Sequence, residues 1–306
     1  MLTVLGHWLD EGHTADLVTV VSTFGSSPRP LGSIAAVRDD GKLVGSVSGG
    51  CVEQNLVEHF SRSKKQHQKL FEIEDKAARE FGLPCGGKLE LLFERIDDAA
   101  QIHLVLELLD RRQLVKRVVH TEGSQPTIIV EADANSAFSY DDNRVTQVFG
   151  PGWRVLLVGA GELSFYTAQF AQTLDFDVRV IDPRPKIRGS WQLDSITVED
   201  LLPDEAVSLF ANDERSAVMA LSHDAELDDL ALQEALPSSA FYVGALGSRG
   251  NNKKRLARLA HFGLVDDELA RLHGPIGLSI DSRTSAEIAI SIMAQVIAER
   301  AKVRNG

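Results

Sequence analysis

The chain has 306 residues, of which 43% are hydrophobic and 25% are charged, a composition typical of a globular protein of about two domains. Its net charge of −12 argues against nucleic acid or an anionic membrane as a main partner, because both attract basic proteins. No stretch approaches the roughly 20 apolar residues of a membrane helix, and the first residues lack a signal-peptide pattern. We therefore expect a cytoplasmic protein, whose thiols are kept reduced.

Residues 1–132 predict an α+β domain. A short helix leads to a strand over Leu17–Thr23, a Gly/Ser/Pro loop over Gly25–Ser33 and a hairpin that turns at Asp39-Asp40-Gly41. The pattern continues with a helix from residue 52 to about residue 60, strands near Lys69–Ile73 and Lys88–Phe93, and a helix over Ala99–Leu109. Residues 133–152, rich in Asp, Asn, Ser and Gly, are the predicted linker.

Residues 153–306 alternate apolar β-branched runs with helical patterns, which predicts a Rossmann-like, doubly wound parallel sheet. The predicted strands are Arg154–Val158, Val178–Ile181, Ser216–Leu221, Ala240–Val243 and Ile276–Ile280. The predicted helices are Glu162–Leu174, Asp224–Leu236, Gly250–Phe262 and Ser285–Arg300. The last helix opens with a capping-box spacing, Thr284 to Glu287, and is apolar on much of its circumference, as in a buried helix or one partly in an oligomer interface.

A glycine turn follows the first strand of this second domain. Gly159-Ala160-Gly161 would allow a pyrophosphate to approach the next helix, and Asp182 follows at the spacing of a ribose-binding acid. Arg184 would instead favour the 2′-phosphate of NADP. The alternative is a Rossmann scaffold that binds no dinucleotide.

Two further motifs lie at strand ends of the same sheet, where open α/β sheets bind ligands. His223 is a candidate acid/base or ligand contact, although Asp224 after it could simply cap the next helix. Gly247-Ser248-Arg249 is a candidate cradle for a phosphate or carboxylate. The basic run Lys253–Arg255 that follows reads as a solvated face.

Both cysteines of the chain sit among small residues that leave the sulfur open to approach. Cys51 follows Gly49-Gly50 and precedes Glu53, while Cys85 precedes Gly86. A position at a helix N-terminus, together with a cation such as Arg29 or Lys88, would favour the thiolate of Cys51. A structural disulfide is the alternative, and no His spacing completes a zinc site.

The Gly25–Ser33 loop combines proline, glycine, hydroxyls such as Ser27 and the guanidinium of Arg29, which suits an anionic ligand. Arg29 could equally be a plain surface charge. Glu53 fits a helix N-terminus whether or not it also contacts a ligand.

These motifs together resemble the XdhC/CoxI family, maturation factors of xanthine dehydrogenase and related molybdenum hydroxylases. The matching segments run in family order over nearly the whole chain: Gly25–Gly32, Gly45–Glu53, Leu83–Gly87, Gly159–Gly161, Ile181–Pro185, Ser222–Asp224, Tyr242–Arg249, Pro275–Leu278 and Arg283–Ala289. One departure is Glu162, where the family often has histidine. Its carboxylate beside the glycine turn would repel anions.

The resemblance implies an accessory protein, more a chaperone than a turnover enzyme. Such proteins bind molybdenum cofactor (molybdopterin), protect it, assist its sulfuration with a cysteine desulfurase as sulfur source, and insert it into the hydroxylase. They are usually homodimers. The resemblance and the motifs give these cofactor-binding candidates: Ser27, Arg29, Gly49, Gly50, Cys51, Glu53, Cys85, Gly86, Gly159, Gly161, Asp182, Gly247, Ser248 and Arg249. Cys51, Cys85 and His223 are the candidates for chemistry.

Two other functions remain open from the residues. One is an NAD(P)-dependent oxidoreductase that uses His223 as acid/base and the Gly159 turn for pyrophosphate, with NAD(P) as its cofactor. The other is a dimeric scaffold whose Rossmann half only docks a partner.

Overall fold

The structure is a computed structural model that describes residues 1–25, 29–49, 53, 56–57, 69–73, 87–121, 127–132, 136–141 and 143–305. The chain divides into two units, Met1–Pro151 and Gly152–Gly306. Most of the helix expected from residue 52 to 60 lies outside the described residues, although residues 53, 56 and 57 are helical.

The first unit is built on a five-stranded antiparallel sheet of order β3-β2-β1-β5-β4. Its strands are β1 (Ala15–Gly25), β2 (Ile34–Arg38), β3 (Leu43–Gly45), β4 (Lys69–Ile73) and β5 (Gly87–Ile96). One face carries helices α1 (Leu2–Asp10) and α2 (Ala100–Asp110), whose side chains Leu5, Trp8 and Ile102 pack on Leu17. The other face buries a second cluster that includes Val18. Because successive side chains of β1 point to opposite faces, this strand contributes to both cores.

A second sheet of the first unit occupies part of the segment predicted as a linker. Strands β6 (Val115–His120), β7 (Ile128–Glu131), β8 (Ser139–Asp141) and β9 (Arg144–Phe149) form an antiparallel sheet of order β7-β6-β9-β8. Residues 139–141 and 144–149 therefore pair in a sheet instead of forming an open connection. The polar composition of this segment misleads because β8 is largely exposed, while on β9 burial alternates around Val145.

The second unit contains a six-stranded parallel sheet. Its strands are β10 (Arg154–Val158), β11 (Asp177–Ile181), β12 (Val198–Glu199), β13 (Ser216–Ala220), β14 (Tyr242–Ala245) and β15 (Leu272–His273). The order is β12-β11-β10-β13-β14-β15, which is the 3-2-1-4-5-6 order of a Rossmann fold. The predicted fold class is thus confirmed.

Helices cover both faces of this sheet. They are α3 (Glu162–Thr173), α4 (Pro185–Arg188), α5 (Pro203–Phe210), α6 (Ala225–Ala235), α7 (Arg249–His261), α8 (Asp266–Leu269) and α9 (Ser285–Asn305). Helices α3 and α9 bury one face, around Val155 and Leu157, and α5, α6 and α7 bury the other, around Leu156 and Val158. None of the helices in the described part of the chain is both long and apolar enough to cross a membrane.

The expected strand over residues 276–280 is wrong, and the edge strand of the parallel sheet is β15 instead. Ile276 enters the core, but Leu278 and Ile280 are 43% and 53% exposed. Gly277 lies between them with φ +94°, where a Cβ would come within 2.4 Å of Ser291 Oγ, so the backbone departs from a strand to pass close to α9.

The capping box of α9 is confirmed. The backbone N–H of Thr284 donates to Glu287, and the N–H of Glu287 donates to Thr284 Oγ1 at 3.3 Å.

Candidate functional site

A carboxylate organises the loop that leads to Cys51. Ser46 and Ser48 donate to Glu53 through their hydroxyls, and Val47 and Ser48 donate through their backbone N–H groups, over 2.5 to 3.1 Å. Val47 is fully buried in the core below β2 and β5, which anchors the loop from beneath. Residues 46–48 are thereby held around one charged group.

Hydrogen bonds determine the ionisation of that carboxylate. Burial opposes the charged form, but the bonds from Ser48 and Ser46 outweigh it and lower the pKa of Glu53 to about 2. Glu53 is therefore a carboxylate at any physiological pH.

Arg29 joins the same loop. Its Nε donates to Ser46 Oγ at 3.3 Å, and Ser46 Oγ also accepts from the N–H of Gly49 at 2.9 Å. The structure thus brings Arg29, Gly49 and Glu53 of the predicted site together. The other candidates of this unit, Ser27, Gly50, Cys51, Cys85 and Gly86, lie outside the described residues.

Gly45, where β3 ends, sets the direction of this loop. It has φ +85°, and a Cβ there would come within 2.5 Å of the carbonyl oxygen of Ile34. Only glycine fits this conformation and this approach of two strands.

In the second unit, the two glycines of the turn after β10 have different surroundings. Gly159 has φ +100°, and a Cβ there would lie 2.4 Å from the Cα of Ser222 in the neighbouring turn. Its missing side chain therefore makes room for protein backbone. Gly161 precedes α3, and a Cβ there would meet open space.

Asp182 is fully buried at the end of β11. One of its oxygens accepts from the N–H of Ala160 and from Arg184 Nη2, and the other accepts from the N–H and Nε of Arg184, all within 2.8 to 3.0 Å. A carboxylate offers about four lone-pair sites, so the protein saturates this one. Burial raises the pKa of Asp182, but the bonds from Arg184 and Ala160 prevail and lower it overall.

The space in front of Gly161 is a cavity of about 390 Å³. Its walls include Phe165, Tyr166 and Trp191, with Glu162 at the glycine turn. Glu162 accepts a hydrogen bond from Ser285 at 2.8 Å. None of the described residues that line it is Lys, Arg or His, so a pyrophosphate would meet no side-chain cation there.

A second cavity, of about 340 Å³, opens at the carboxyl ends of β13 and β14. The structure brings His223 and Gly247 together on its wall, as the position of both motifs at strand ends suggests. Ser248 caps α7 by accepting the N–H of Asn251. Arg249 is exposed and is absent from the lining of the cavity.

The floor of this cavity is an ion network on α6 and α7. Arg255 binds Asp228 at 2.9 Å and Asp229 at 3.2 Å, and Arg258 binds Asp229 at 2.6 Å. Burial raises the pKa of Asp228, although hydrogen bonds from Ser222 oppose the shift. Among the described residues, no group of three or more His, Cys, Asp or Glu side chains is placed to hold a metal ion.

The chain matches two parts of one family. Residues 8–73 match the XdhC and CoxI family, and residues 155–296 match the XdhC Rossmann domain. The chain belongs to the XdhC/CoxI family. The resemblance predicted from the motifs is thus confirmed.

The chain is similar over almost its full length to curated proteins and to a solved structure. It is 28% identical over 296 residues to the molybdenum cofactor insertion chaperone PaoD of Escherichia coli, covering 95% of this chain and 85% of that protein. It is 26% identical over 331 residues to a probable xanthine dehydrogenase subunit of Bacillus subtilis, covering 98% of each. A crystal structure of a xanthine dehydrogenase from Bacillus halodurans superposes with a TM-score of 0.75 at 25% identity, over 98% of this chain and 96% of that one.

Sequence reasoning missed the side chains that complete both sites of this XdhC/CoxI protein. Ser46 and Ser48 flank the valine that enters the core, and this serine pair seven and five residues before a glutamate was the available signal. Asn251 and Lys254 line the second cavity although the basic run reads as a solvated face. Asn251 lies three residues after the cap Ser248 and Lys254 three residues after Asn251, which places them on one helix face.

Proposed function

We propose that this protein binds molybdenum cofactor as its cargo, protects it and inserts it into a molybdenum hydroxylase of the xanthine dehydrogenase type. It acts as an accessory protein and not as a turnover enzyme. The observation that supports this most directly is the ordered Ser46–Gly49 loop, which Glu53 holds by hydrogen bonds. Gly49 and Glu53 each lie two residues from Cys51 in the sequence. The names of the Escherichia coli and Bacillus subtilis relatives agree with it.

The donor set suits this cargo. Molybdopterin is a phosphorylated pterin with a dithiolene, so it needs a cation, close approach of backbone and a site that tolerates soft sulfur ligands. Arg29 supplies the guanidinium, Gly49 supplies backbone without a side chain, and Cys51 and Cys85 supply thiols. Because Glu53 is saturated by the loop, its part is to position Ser46, Ser48 and Gly49 and not to contact the anionic cargo.

The finer parts of the proposal rest on the family. A cysteine desulfurase supplies the sulfur that replaces an oxo ligand of the cargo. The protein works as a homodimer. The protein and the desulfurase both act in the cytoplasm. The partner-binding and dimer predictions are testable by co-purification with the desulfurase and by light scattering of the full chain.

The cargo prediction is tested by purifying the full chain anaerobically from cells that make the cofactor. Wild-type protein should retain a pterin, measured by mass analysis of the released ligand. Cys51→Ala should abolish retention, and Arg29→Ala should lower affinity about tenfold through loss of a charge-assisted bond. Arg144→Ala, which removes another exposed arginine of the same unit, is the matched control and should retain the cargo.

Two results would contradict the proposal. One is wild-type protein that carries no pterin. The other is normal hydroxylase activity in cells that contain only the Cys51→Ala protein.

A further inference from the structure

The cavity beside His223 is lined by polar side chains that have no hydrogen-bond partner among the described residues. His223, Asn251 and Lys254 line it, and none of these three side chains makes a hydrogen bond or ion pair with any residue the structure describes. The remaining lining is Ala225, Asp228, Leu246, Gly247, Arg255 and Arg258. A cavity with several unpartnered donors at the carboxyl edge of a Rossmann sheet is the usual form of a ligand site.

The backbone holds His223 in an uncommon conformation. Its φ of +60° lies in the left-handed region, which a non-glycine residue adopts at a cost. Its neighbours fix this geometry: Ser222 donates to Asp228 through its N–H and its hydroxyl, and the N–H of Asp224 donates to Ser222. Asp224 in turn caps α6 by accepting the N–H of Glu226. The imidazole is thus presented at the cavity by a rigid turn.

The charge of the cavity favours an anion. In the floor network, two carboxylates face two guanidiniums, so these four charges cancel. Lys254 remains as a cation without a counter-ion among the described residues. The cavity also opens at the N-termini of α6 and α7, whose dipoles add to the attraction for negative charge. This local sign is opposite to the net charge of −12 for the chain.

At the ribose position of the dinucleotide crevice, the acidic side chain is already bonded by the protein. Asp182 is saturated by Ala160 and Arg184, and the same guanidinium reaches the carbonyl of Ser222 at 3.3 Å. Arg184 therefore bridges the end of β11 and the turn after β13. The groups that would bind the adenosine ribose of NAD(P) are bonded to each other, whereas His223, Asn251 and Lys254 in the cavity at β13 and β14 have no such partners among the described residues.

We propose that the His223–Lys254 cavity binds the phosphate monoester of a small heterocyclic ligand, with Lys254, Asn251 and His223 as donors, and that the Rossmann unit does not bind NAD(P) through Asp182. The cavity volume of about 340 Å³ is near the lower end for small-molecule sites, which suits one phosphate and one heterocycle. Two ligands share this chemistry: the phosphorylated pterin cargo and a free nucleoside monophosphate. The phosphate site does not depend on the cargo function, because the second ligand suffices.

Isothermal titration calorimetry of the full chain at fixed ionic strength tests the site. It measures the dissociation constants of inorganic phosphate, AMP, CMP and NAD⁺. We expect both monophosphates to bind more tightly than inorganic phosphate, and NAD⁺ to bind no better than inorganic phosphate. Lys254→Ala should weaken monophosphate binding about tenfold, the effect of one charge-assisted bond. Lys253→Ala is the matched control, because Lys253 is also exposed on the same turn but does not line the cavity.

Further arms separate the sources of the phosphate. If cargo-loaded protein no longer binds AMP, the cargo phosphate occupies the cavity; if it still does, a free nucleotide is the ligand, and both results support the site. Cys51→Ala should leave the titration unchanged, so failure of the cargo function is distinguishable. His223→Ala is a second variant, which removes another of the three donors and should also weaken monophosphate binding. Equal midpoints of thermal unfolding for all variants show that each is folded.

The proposal is overturned by either of two results. One is absence of binding for every phosphate probe at millimolar concentration. The other is NAD⁺ binding that exceeds monophosphate binding and is indifferent to Lys254→Ala.

Discussion

Glu53 illustrates how a single residue acts through its neighbours. The sequence predicted it at a helix N-terminus, in contact with ligand or not, and the structure surrounds its carboxylate with donors from residues 46–48. The negative charge is stable there because its hydrogen bonds exceed the cost of burial. The loop next to Cys51 therefore depends on the ionised form of one side chain.

This dependence gives a prediction for pH. The pKa of Glu53 is about 2 in the folded protein and about 4.5 ordinarily, so the unfolded chain binds more protons between these values. Its stabilising contribution is complete above pH 4.5 and is lost as the pH falls towards 2. Glu53→Gln should therefore reduce the slope of unfolding free energy against pH in this window, measured by denaturant titration.

The control is Glu131→Gln, which makes the same chemical change at an exposed position on β7. It should leave the slope as in the wild type. Equal slopes for wild type and Glu53→Gln would contradict the role assigned to this carboxylate.

At the scale of elements, a buried ion pair connects the two sheets of the first unit. Arg117 on β6 donates to both oxygens of Glu94 on β5 at 2.7 and 2.9 Å, and to Gln147 on β9, which donates to Thr19 on β1. Arg117 and Glu94 are 1% and 3% exposed. Two charges so far from water are tolerated only because they face each other.

Removing one member should therefore be costly. Glu94→Gln leaves the guanidinium of Arg117 buried without its counter-charge, and we expect a loss of about 3–5 kcal/mol in unfolding free energy. Glu107→Gln, which breaks an exposed pair with Arg111 on α2, should cost less than about 1 kcal/mol. The double variant Glu94→Leu/Arg117→Met should be more stable than Glu94→Gln; the opposite order would refute the pairing argument.

At the scale of the whole molecule, the chain consists of two units with separate cores. The clusters around Leu5, Val18 and Val21 belong to Met1–Pro151, and those around Val155 and Leu156 belong to Gly152–Gly306. We infer that the units are domains in the thermodynamic sense, each of which unfolds as its own cooperative transition.

Calorimetry of the full chain tests this inference. We expect two unfolding transitions, of which Glu94→Gln lowers the midpoint of only one. Glu107→Gln again serves as control and should move neither transition appreciably. A single transition that Glu94→Gln shifts as a whole would show that the units unfold together.

The sequence by itself determined the parts of this protein that local pattern controls. It predicted the Rossmann fold, the strand β10 and the cap of α9, because strand periodicity, glycine turns and capping pairs involve residues close together in the chain. The order of its motifs also identified the XdhC/CoxI family. Cys51 and Cys85 lie outside the described residues, so their shared site stays a prediction.

Only the tertiary structure decided what the site residues contact. The oxygens of Asp182 accept hydrogen bonds from Ala160 and Arg184, and Ser222 occupies the space beside Gly159. His223 and Lys254 line an open cavity. Residues 139–141 and 144–149 form strands in the tertiary structure, whereas residues 276–280 do not. These outcomes depend on contacts between residues that are far apart in the chain. The periodicity of a single sequence carries no information about such long-range contacts.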